Sequence, residues 1–194
     1  VSSDEDLQAR VDDVVRHHID AGHLGAASWR IRRGDLVVEG AAGSLHGGRA
    51  ADLDTIYRIT SMSKPVTAVA ALTFVGRGEA DLDEPVARHL PELRDLRVLR
   101  RPDGAVADTV AAERPVTLRD LLAFTLGWGM EFTADGPSPW DLAAEAAGVA
   151  FRGPDPNGWP VPDEWIARMG ELPLRNQPGS SWRYHLGSDV LGVW

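Results

Sequence analysis

The chain has 194 residues, no cysteine, a formal net charge of -9 and a pI of about 5.1. This acidic balance argues against nucleic acid or an anionic membrane as a main partner, because both bind basic surfaces. The lack of Cys excludes disulfides, Cys-based zinc sites and a thiol nucleophile, and no apolar run reaches the roughly 18 residues of a membrane span.

The first part of the chain predicts one helix followed by strands. Apolar residues recur at helical spacing across residues 4–21, which indicates an amphipathic helix. The stretch AASWRIRRGDLVVEGAAG predicts two strands around a turn at Gly34-Asp35, and DTIYRI predicts a further short strand. We expect residues 1–60 to contribute this helix and the first strands of an antiparallel sheet layer.

The sequence of residues 61–194 predicts a mainly helical region. Residues 62–75 are apolar almost all round, which favours a buried helix, and Pro65 is tolerated if it falls in the first turn. The segment LDEPVARHLPEL predicts a turn and a short helix, and RRPDGAVADTVAAERP predicts a loop with a small hairpin. A helix is predicted for VTLRDLLAFTLGWG, with Thr117 as its cap.

The rest of this region is rich in Pro, Gly and Trp. Residues 128–162 surround one Ala-rich helix near residues 139–149. The last segment, YHLGSDVLGVW, predicts the first turns of a helix that lacks the usual Gly or Asn cap. We therefore expect the protein to continue beyond Trp194. Four tryptophans are candidates either for an acyl pocket or for core, namely Trp128, Trp140, Trp159 and Trp165.

The stretch YRITSMSKPVTAVAALTFVG contains the only lysine of the chain. On a helix, the side chains of Ser61 and Lys64 would share one face, since they stand three residues apart. A serine hydroxyl becomes a good nucleophile only with a base within hydrogen-bond reach. Lysine can become that base, whereas arginine does not deprotonate in proteins. The alternative is a helix cap beside a snorkelling lysine, and the pair alone leaves both interpretations open.

Three segments together resemble the penicillin-recognising serine hydrolases, most closely the class C β-lactamases and the family VIII carboxylesterases. YRITSMSKPVTAVAALTFVGRGEADLDEPVARHLPEL resembles the active-site helix and the segment after it, including the S-x-x-K motif. VTLRDLLAFTLGWG is similar to T-x-R-x-L-L-x-H-T-S-G, and LPLRNQPGSSWRYHLGSDVLG is similar to P-G-x-x-W-x-Y-S-x. The resemblance spans about residues 25–194. It implies a β-lactamase/transpeptidase-like α/β fold, with an antiparallel sheet flanked by helices, whose C-terminal part is missing from this chain.

The resemblance also implies roles for individual residues. Ser61 would be the acylated nucleophile, Lys64 its general-base partner and Tyr184 a second group that handles protons. The backbone N–H of Ser61 would form half of the oxyanion hole. The third motif of the family, K-T-G or a variant, lies on a late strand and is absent here, so the other half of the hole would come from the missing part of the protein.

Departures from the family pattern bear on the substrate. Phe124 and Leu126 replace the usual His and Ser of H-T-S-G. Leu186 stands where β-lactamases usually have an Asn that contacts the acylamino group of the substrate. We therefore expect a carboxylesterase that acts through an acyl-enzyme on Ser61; the alternatives are a β-lactamase or D-Ala-D-Ala carboxypeptidase, and an inactive binding protein. Candidate pocket residues are Trp128, His185 and Leu186.

No cofactor or metal is expected. His17, His18 and His23 lie on a predicted surface helix and are expected to be solvated, and no phosphate-binding glycine loop is present. The expected partners are a small-molecule ester or β-lactam and the missing C-terminal part of the same protein, with no nucleic acid and no membrane span. The N-terminal VSSDEDLQAR is not a signal peptide. A cytoplasmic location is favoured, and a removed signal peptide would leave export open.

Overall fold

The computed structural model describes residues 4–130, 136–150, 153 and 158–194. The chain divides into two units, Val1–Arg58 and Ile59–Trp194. Each unit has its own elements, and both candidate site segments identified in the sequence lie in the second.

The first unit consists of a helix and a two-stranded antiparallel sheet. Helix α1 (Asp4–Asp20) precedes strands β1 (Ala26–Arg33) and β2 (Leu36–Gly43). Arg33 pairs with Leu36, so the predicted hairpin with its turn at residues 34–35 is confirmed. The turn requires a left-handed backbone at residue 34 (φ +64), which glycine adopts at little cost.

Helix α1 is tied to the sheet by one side chain. The amide of Gln8 donates to the carbonyl of Glu39 at 3.1 Å and accepts from its N–H at 3.3 Å. These two bonds satisfy backbone groups that β1 leaves unpaired. A side chain of α1 therefore pairs with the backbone at the outer edge of β2.

The predicted strand at DTIYRI is wrong. Residues 54–59 have no strand conformation, and Ile56 is 95% exposed. Alternating apolar residues favour a strand, but a strand also needs a hydrogen-bonded neighbour. Within the described ranges, β1 and β2 pair only with each other.

The second unit is mainly helical. Its first helix is α2 (Ser63–Gly76), followed by a short antiparallel hairpin of β3 (Arg97–Leu99) and β4 (Thr109–Ala111). The hairpin confirms the prediction for RRPDGAVADTVAAERP, which supplies its loop and its second strand. The later helices, in chain order, are α3 (Leu118–Leu122), α4 (Pro139–Ala146), α5 (Pro162–Gly170) and α6 (Leu186–Val193).

Two details of this unit differ from the predicted elements. The segment LDEPVARHLPEL forms two 3-10 turns, Val86–Arg88 and Pro91–Leu93, in place of the one short helix that was predicted. Pro91 interrupts helical hydrogen bonding because it has no backbone N–H. Helix α5 was not predicted, although Pro162 in its first turn and acidic residues after it are typical of a helix start.

Helix α2 is not buried, contrary to the prediction. Its Ala71 is buried, and Ala68 and Val75 pack against the core. The side chains of Val66 and Val69 are exposed. A helix with apolar residues on all sides can be buried on every face. Within the described chain, however, only the face of α2 toward α6 is packed.

Tryptophans form much of the core of the second unit. The indole N–H groups of Trp128 and Trp140 both donate to the carbonyl of Pro173, at 2.9 and 2.8 Å. Trp165 is also buried, and Trp159 packs against the same core. Trp128 is 0% exposed. These side chains therefore serve as core, and Trp128 offers no surface to a substrate in this chain.

The cap predicted for α3 is confirmed. The Thr117 hydroxyl accepts from the Asp120 N–H, and the Asp120 carboxylate accepts from the Thr117 N–H at 2.9 Å, which is a capping box. Arg114 also donates two hydrogen bonds to Asp120. Burial alone would raise the pKa of Asp120, but the bonds from Arg114, Thr117 and Thr125 lower it. The box fixes the start of α3 and the turn that carries Phe124.

Candidate active site

The Ser61 side chain lies on a tight turn at the start of α2. The 3-10 turn Thr60–Met62 runs directly into the helix, and Ser61 is exposed. No carbonyl of the described residues accepts a backbone hydrogen bond from the Ser61 N–H. Unpaired N–H groups are usual at a helix start, where the dipole also favours negative charge. The expected oxyanion donor is therefore available.

Lys64 occupies the first turn of α2 and is half-buried. Its Nζ lies 3.1 Å from Nδ1 of His185, which is 121 positions away in the chain. The same Nζ lies 5.5 Å from the centroid of the Tyr184 ring, within the range of a cation–π contact. The structure thus brings Lys64 and Tyr184 together, two residues that the sequence related only through the family motifs.

Tyr184 is held by aromatic neighbours and by one short backbone bridge. Its carbonyl accepts from the Met130 N–H at 3.0 Å. Its ring centroid lies 5.6 Å from that of Phe124 and 6.0 Å from that of Trp182. Phe124, which replaces the usual His of the motif, thereby packs against the candidate proton-handling residue. The close approach also needs Gly129, since a Cβ there would lie 2.5 Å from the Arg183 Cβ.

A half-buried His–Asp pair adjoins the lysine. The Nε2 atom of His185 lies 3.1 Å from Oδ2 of Asp189, and the side chains are 12% and 34% exposed. Burial and then the charge of Lys64 lower the pKa of His185 to about 4. Burial raises the pKa of Asp189 to about 6, and Lys64 partly opposes this. At neutral pH the imidazole is uncharged and the carboxylate is ionised.

The direction of the hydrogen bonds follows from these charges. A neutral imidazole carries one ring proton and an ionised carboxylate can only accept, so the proton is on Nε2, facing Asp189, and Nδ1 accepts from Nζ of Lys64. Sequence reasoning named His185 as a pocket residue and missed Asp189. The signal available was its i, i+4 spacing from His185 at the start of a predicted helix.

Strained backbone is concentrated at this site. Among the described residues, the non-glycine residues with positive φ are Thr60 (+44), Phe124 (+58) and His185 (+88). Thr60 precedes Ser61, Phe124 packs on Tyr184, and His185 contacts Lys64. Such conformations cost about 1–3 kcal/mol each and cluster at functional sites.

Two of the predicted pocket residues lie elsewhere. Leu186 is 5% exposed and belongs to the hydrophobic core, like Trp128. The chain turns into α6 at this point, and the helix directs Leu186 inward. The lack of an amide at residue 186 therefore gives no information on the substrate class. Of the predicted pocket, His185 is the member that the structure places beside Lys64.

Metal-binding and membrane-spanning features are absent from the described part of the chain. No group of three His, Asp or Glu side chains there is arranged to hold a metal ion. The Nδ1 atoms of His18 and His23 lie 3.0 Å apart on an exposed surface. No helix in the described ranges combines the length and apolar character that crossing a bilayer requires.

The comparison with known protein families agrees with this geometry. The Beta-lactamase family model matches residues 11–193. The chain belongs to this beta-lactamase family. Within it, the chain is 35% identical over 190 residues to esterase EstB of Burkholderia gladioli, covering 96% of this chain and 44% of EstB. It is 40% identical over 149 residues to monacolin J acid methylbutanoyltransferase of Aspergillus terreus, covering 72% and 31% of the two chains.

Solved structures of the beta-lactamase family confirm the fold. EstCE1, described as a hydrolase with promiscuous acyltransferase activity, matches with a TM-score of 0.77 and 27% identity. The match covers 98% of this chain and 46% of EstCE1. The chain thus has the beta-lactamase-like fold and spans less than half the length of the two esterase-type relatives. The helices and the two small antiparallel sheets represent a part of the α/β fold.

Proposed function

We propose that this chain carries the nucleophile-bearing part of a serine carboxylesterase that works through an acyl-enzyme on Ser61. The observation that carries the proposal is the position of Lys64, the only lysine, beside both His185 and Tyr184 at the start of α2. A lysine that served only at the helix start would not need to lie beside both of these side chains. The names of EstB and EstCE1, an esterase and a hydrolase, support ester hydrolysis as the reaction class.

The chemistry follows from the residue types. As a neutral amine, Lys64 accepts the proton of the Ser61 hydroxyl while the Ser61 oxygen attacks the ester carbonyl. The negative charge on the carbonyl oxygen develops near the Ser61 N–H at the helix start. Tyr184 passes a proton to the departing alkoxide and takes one back from the Lys64 ammonium, so an alcohol leaves, both groups are restored and an acyl-Ser61 remains. A water molecule then releases the acid and restores the serine.

Covalent labelling separates this proposal from an inactive binding protein. A fluorescent fluorophosphonate should label the wild-type protein, and Ser61→Ala should abolish the labelling. Ser63→Ala is the matched control, because Ser63 lies on the same turn and its hydroxyl donates to the Thr60 carbonyl. Labelling that persists in Ser61→Ala would overturn the assignment of the nucleophile.

The substrate class needs a second comparison. The proposed carboxylesterase should hydrolyse p-nitrophenyl butyrate faster than it hydrolyses nitrocefin, a β-lactam. The reverse order would favour a β-lactamase. Addition of a simple alcohol also tests acyl transfer, an activity described for EstCE1. A new ester of the added alcohol would show that the acyl-enzyme accepts acceptors other than water.

A further inference from the structure

The contacts of Lys64 continue into the protein through His185 to Asp189. Each link is a short contact between polar atoms: 3.1 Å from Nζ to Nδ1 and 3.1 Å from Nε2 to Oδ2. The two ring nitrogens of His185 therefore lie between an amine and a carboxyl group. An imidazole in this position can accept a proton at one nitrogen and give up a proton at the other.

The backbone at the bridging residue has an unusual conformation. His185 has a positive φ of +88 and directly precedes α6. Titratable side chains in contact with it include Lys64 on α2, Asp189 on α6 and Tyr184 in the segment before it. A strained residue between an amine and a carboxyl group is difficult to explain by packing alone.

We propose that Lys64, His185 and Asp189 form a proton relay that converts Lys64 from ammonium to neutral amine without releasing a proton to solvent. This relay rests on the proposed function of Ser61 and Lys64. It assigns to His185 and Asp189 the task of preparing the base, a task that the S-x-x-K motif alone leaves unexplained.

The proton steps balance. The proposed relay starts from an ammonium on Lys64, a proton on Nε2 of His185 and an ionised Asp189. The ammonium gives one proton to Nδ1 while Nε2 gives its proton to Oδ2, which leaves a neutral amine, the other neutral tautomer of His185 and a protonated Asp189. Lys64 then accepts the Ser61 proton. The net transfer is one proton from Ser61 to Asp189, and the net charge is conserved.

The charges of the pair suit this exchange. A carboxyl group with a pKa of about 6 is ionised at neutral pH and still accepts a proton readily, unlike an ordinary aspartate. His185 is neutral in the same pH range. It can therefore exchange tautomers without passing through a stable imidazolium.

The single lysine makes the relay testable without any enzyme assay. Within residues 1–194, growth on ¹³C,¹⁵N-labelled lysine labels one side chain, that of Lys64, and the signal is identified by its loss in Lys64→Arg. The chemical shifts of Nζ and Cε should show a step with a midpoint near pH 6, where Asp189 gains its charge. Asp189→Asn should remove the step, and His185→Asn should weaken it. Ser188→Ala, one residue before Asp189 on the same helix, should retain it.

Kinetics supply the second readout. In the wild-type protein, kcat/KM for p-nitrophenyl butyrate should fall below about pH 6, because protonated Asp189 cannot accept the relayed proton. Asp189→Asn and His185→Asn should lower kcat/KM by about tenfold or more at neutral pH. Asp189→Asn should also lose the acid limb near pH 6. A purely structural role would lower activity without moving the pH profile.

The outcomes separate the relay from the proposed function. The relay is overturned if Asp189→Asn keeps the step in the lysine signal, if the wild type shows none, or if both variants retain at least half of the wild-type kcat/KM. Circular dichroism establishes that each variant is folded. Should His185→Asn fail to fold, the isosteric Asp189→Asn decides alone. Absence of fluorophosphonate labelling at Ser61 in the wild type would instead refute the proposed function, and with it the catalytic use of the relay.

Discussion

The His185–Asp189 pair should have a specific effect on the pH dependence of folding. The pKa of His185 is about 4 in the folded protein against an ordinary 6.5. Uncharged His185 therefore contributes fully to the free energy of unfolding above pH 6.5, and this contribution is lost as the pH falls toward 4. The pKa of Asp189 is about 6 against an ordinary 3.8. Its contribution is full below pH 3.8 and is lost as the pH rises through 6.

The two effects oppose each other in one window. Between about pH 4 and 6, the folded protein carries a proton on Asp189 and the unfolded chain carries one on His185. The number of bound protons is then the same in both states, so this pair gives no pH dependence there. Without Asp189, the stability should rise with pH because of His185. Without His185, the stability should fall as pH rises because of Asp189. Burial and the charge of Lys64 are the causes that act on both pKa values. Both causes remain in the single variants, so the residue that is left should keep its shifted pKa.

The magnitudes follow from the shifts. One pKa unit corresponds to about 1.4 kcal/mol, so the unfolding free energy of Asp189→Asn should rise by about 3 kcal/mol between pH 4 and 6.5. The Asp189 side chain is 34% exposed, and solvent screening reduces its contribution. His185→Asn should therefore lose about 1–2 kcal/mol between pH 4 and 6.

Urea unfolding followed by tryptophan fluorescence at several pH values measures these slopes. Every variant is compared with the wild type, so that the other titrating groups cancel. Ser188→Ala should run parallel to the wild type at all pH values. Parallel curves for Asp189→Asn and His185→Asn as well, or a stability of Asp189→Asn that falls as pH rises, would refute the reasoning.

Three further predictions concern single positions. Lys64→Arg should lower kcat by about 10³ or more in a folded protein, because arginine cannot accept the Ser61 proton; a tenth of wild-type ester hydrolysis would contradict this. Leu186→Asn should cost about 2–5 kcal/mol in urea unfolding, since it places an amide in the core, whereas Leu186→Met should cost less than about 1.5 kcal/mol. Asp120→Asn should destabilise by about 1–3 kcal/mol at neutral pH, because the N-cap of α3 and the ion pair with Arg114 are both weakened; unchanged unfolding would show that the capping box is dispensable.

Local patterns account for most of what the sequence predicted correctly. The β1–β2 hairpin follows from alternation around Gly34-Asp35, and the start of α3 follows from Thr117 with Asp120 three residues later. Both depend on contacts within a few residues. The failed strand at DTIYRI and the exposed face of α2 depend on which neighbours are available, and a local pattern does not specify those.

The candidate site also contains residues that the sequence identified and residues whose position depends on packing. Motif spacing identified Ser61, Lys64 and Tyr184 as residues for one reaction. Their roles stay predictions, although the structure does bring Lys64 and Tyr184 together. Leu186 was placed in the pocket because it stands two residues after Tyr184, yet the direction of its side chain is set by how α6 packs. Asp189 was missed for the same reason, since its approach to His185 depends on where α6 begins.

Helix α6 connects the core to the chemistry. Leu186, Val190 and Leu191 are buried and fix the helix against α3 and α2. With these residues directed inward, the i, i+4 neighbours His185 and Asp189 share another face of the helix start, where Lys64 lies. The rotation of α6 thus decides whether the carboxyl group reaches the lysine through the imidazole. A core substitution that rotates α6 should therefore change the lysine signal near pH 6 as well as stability, although it removes no polar group from the site.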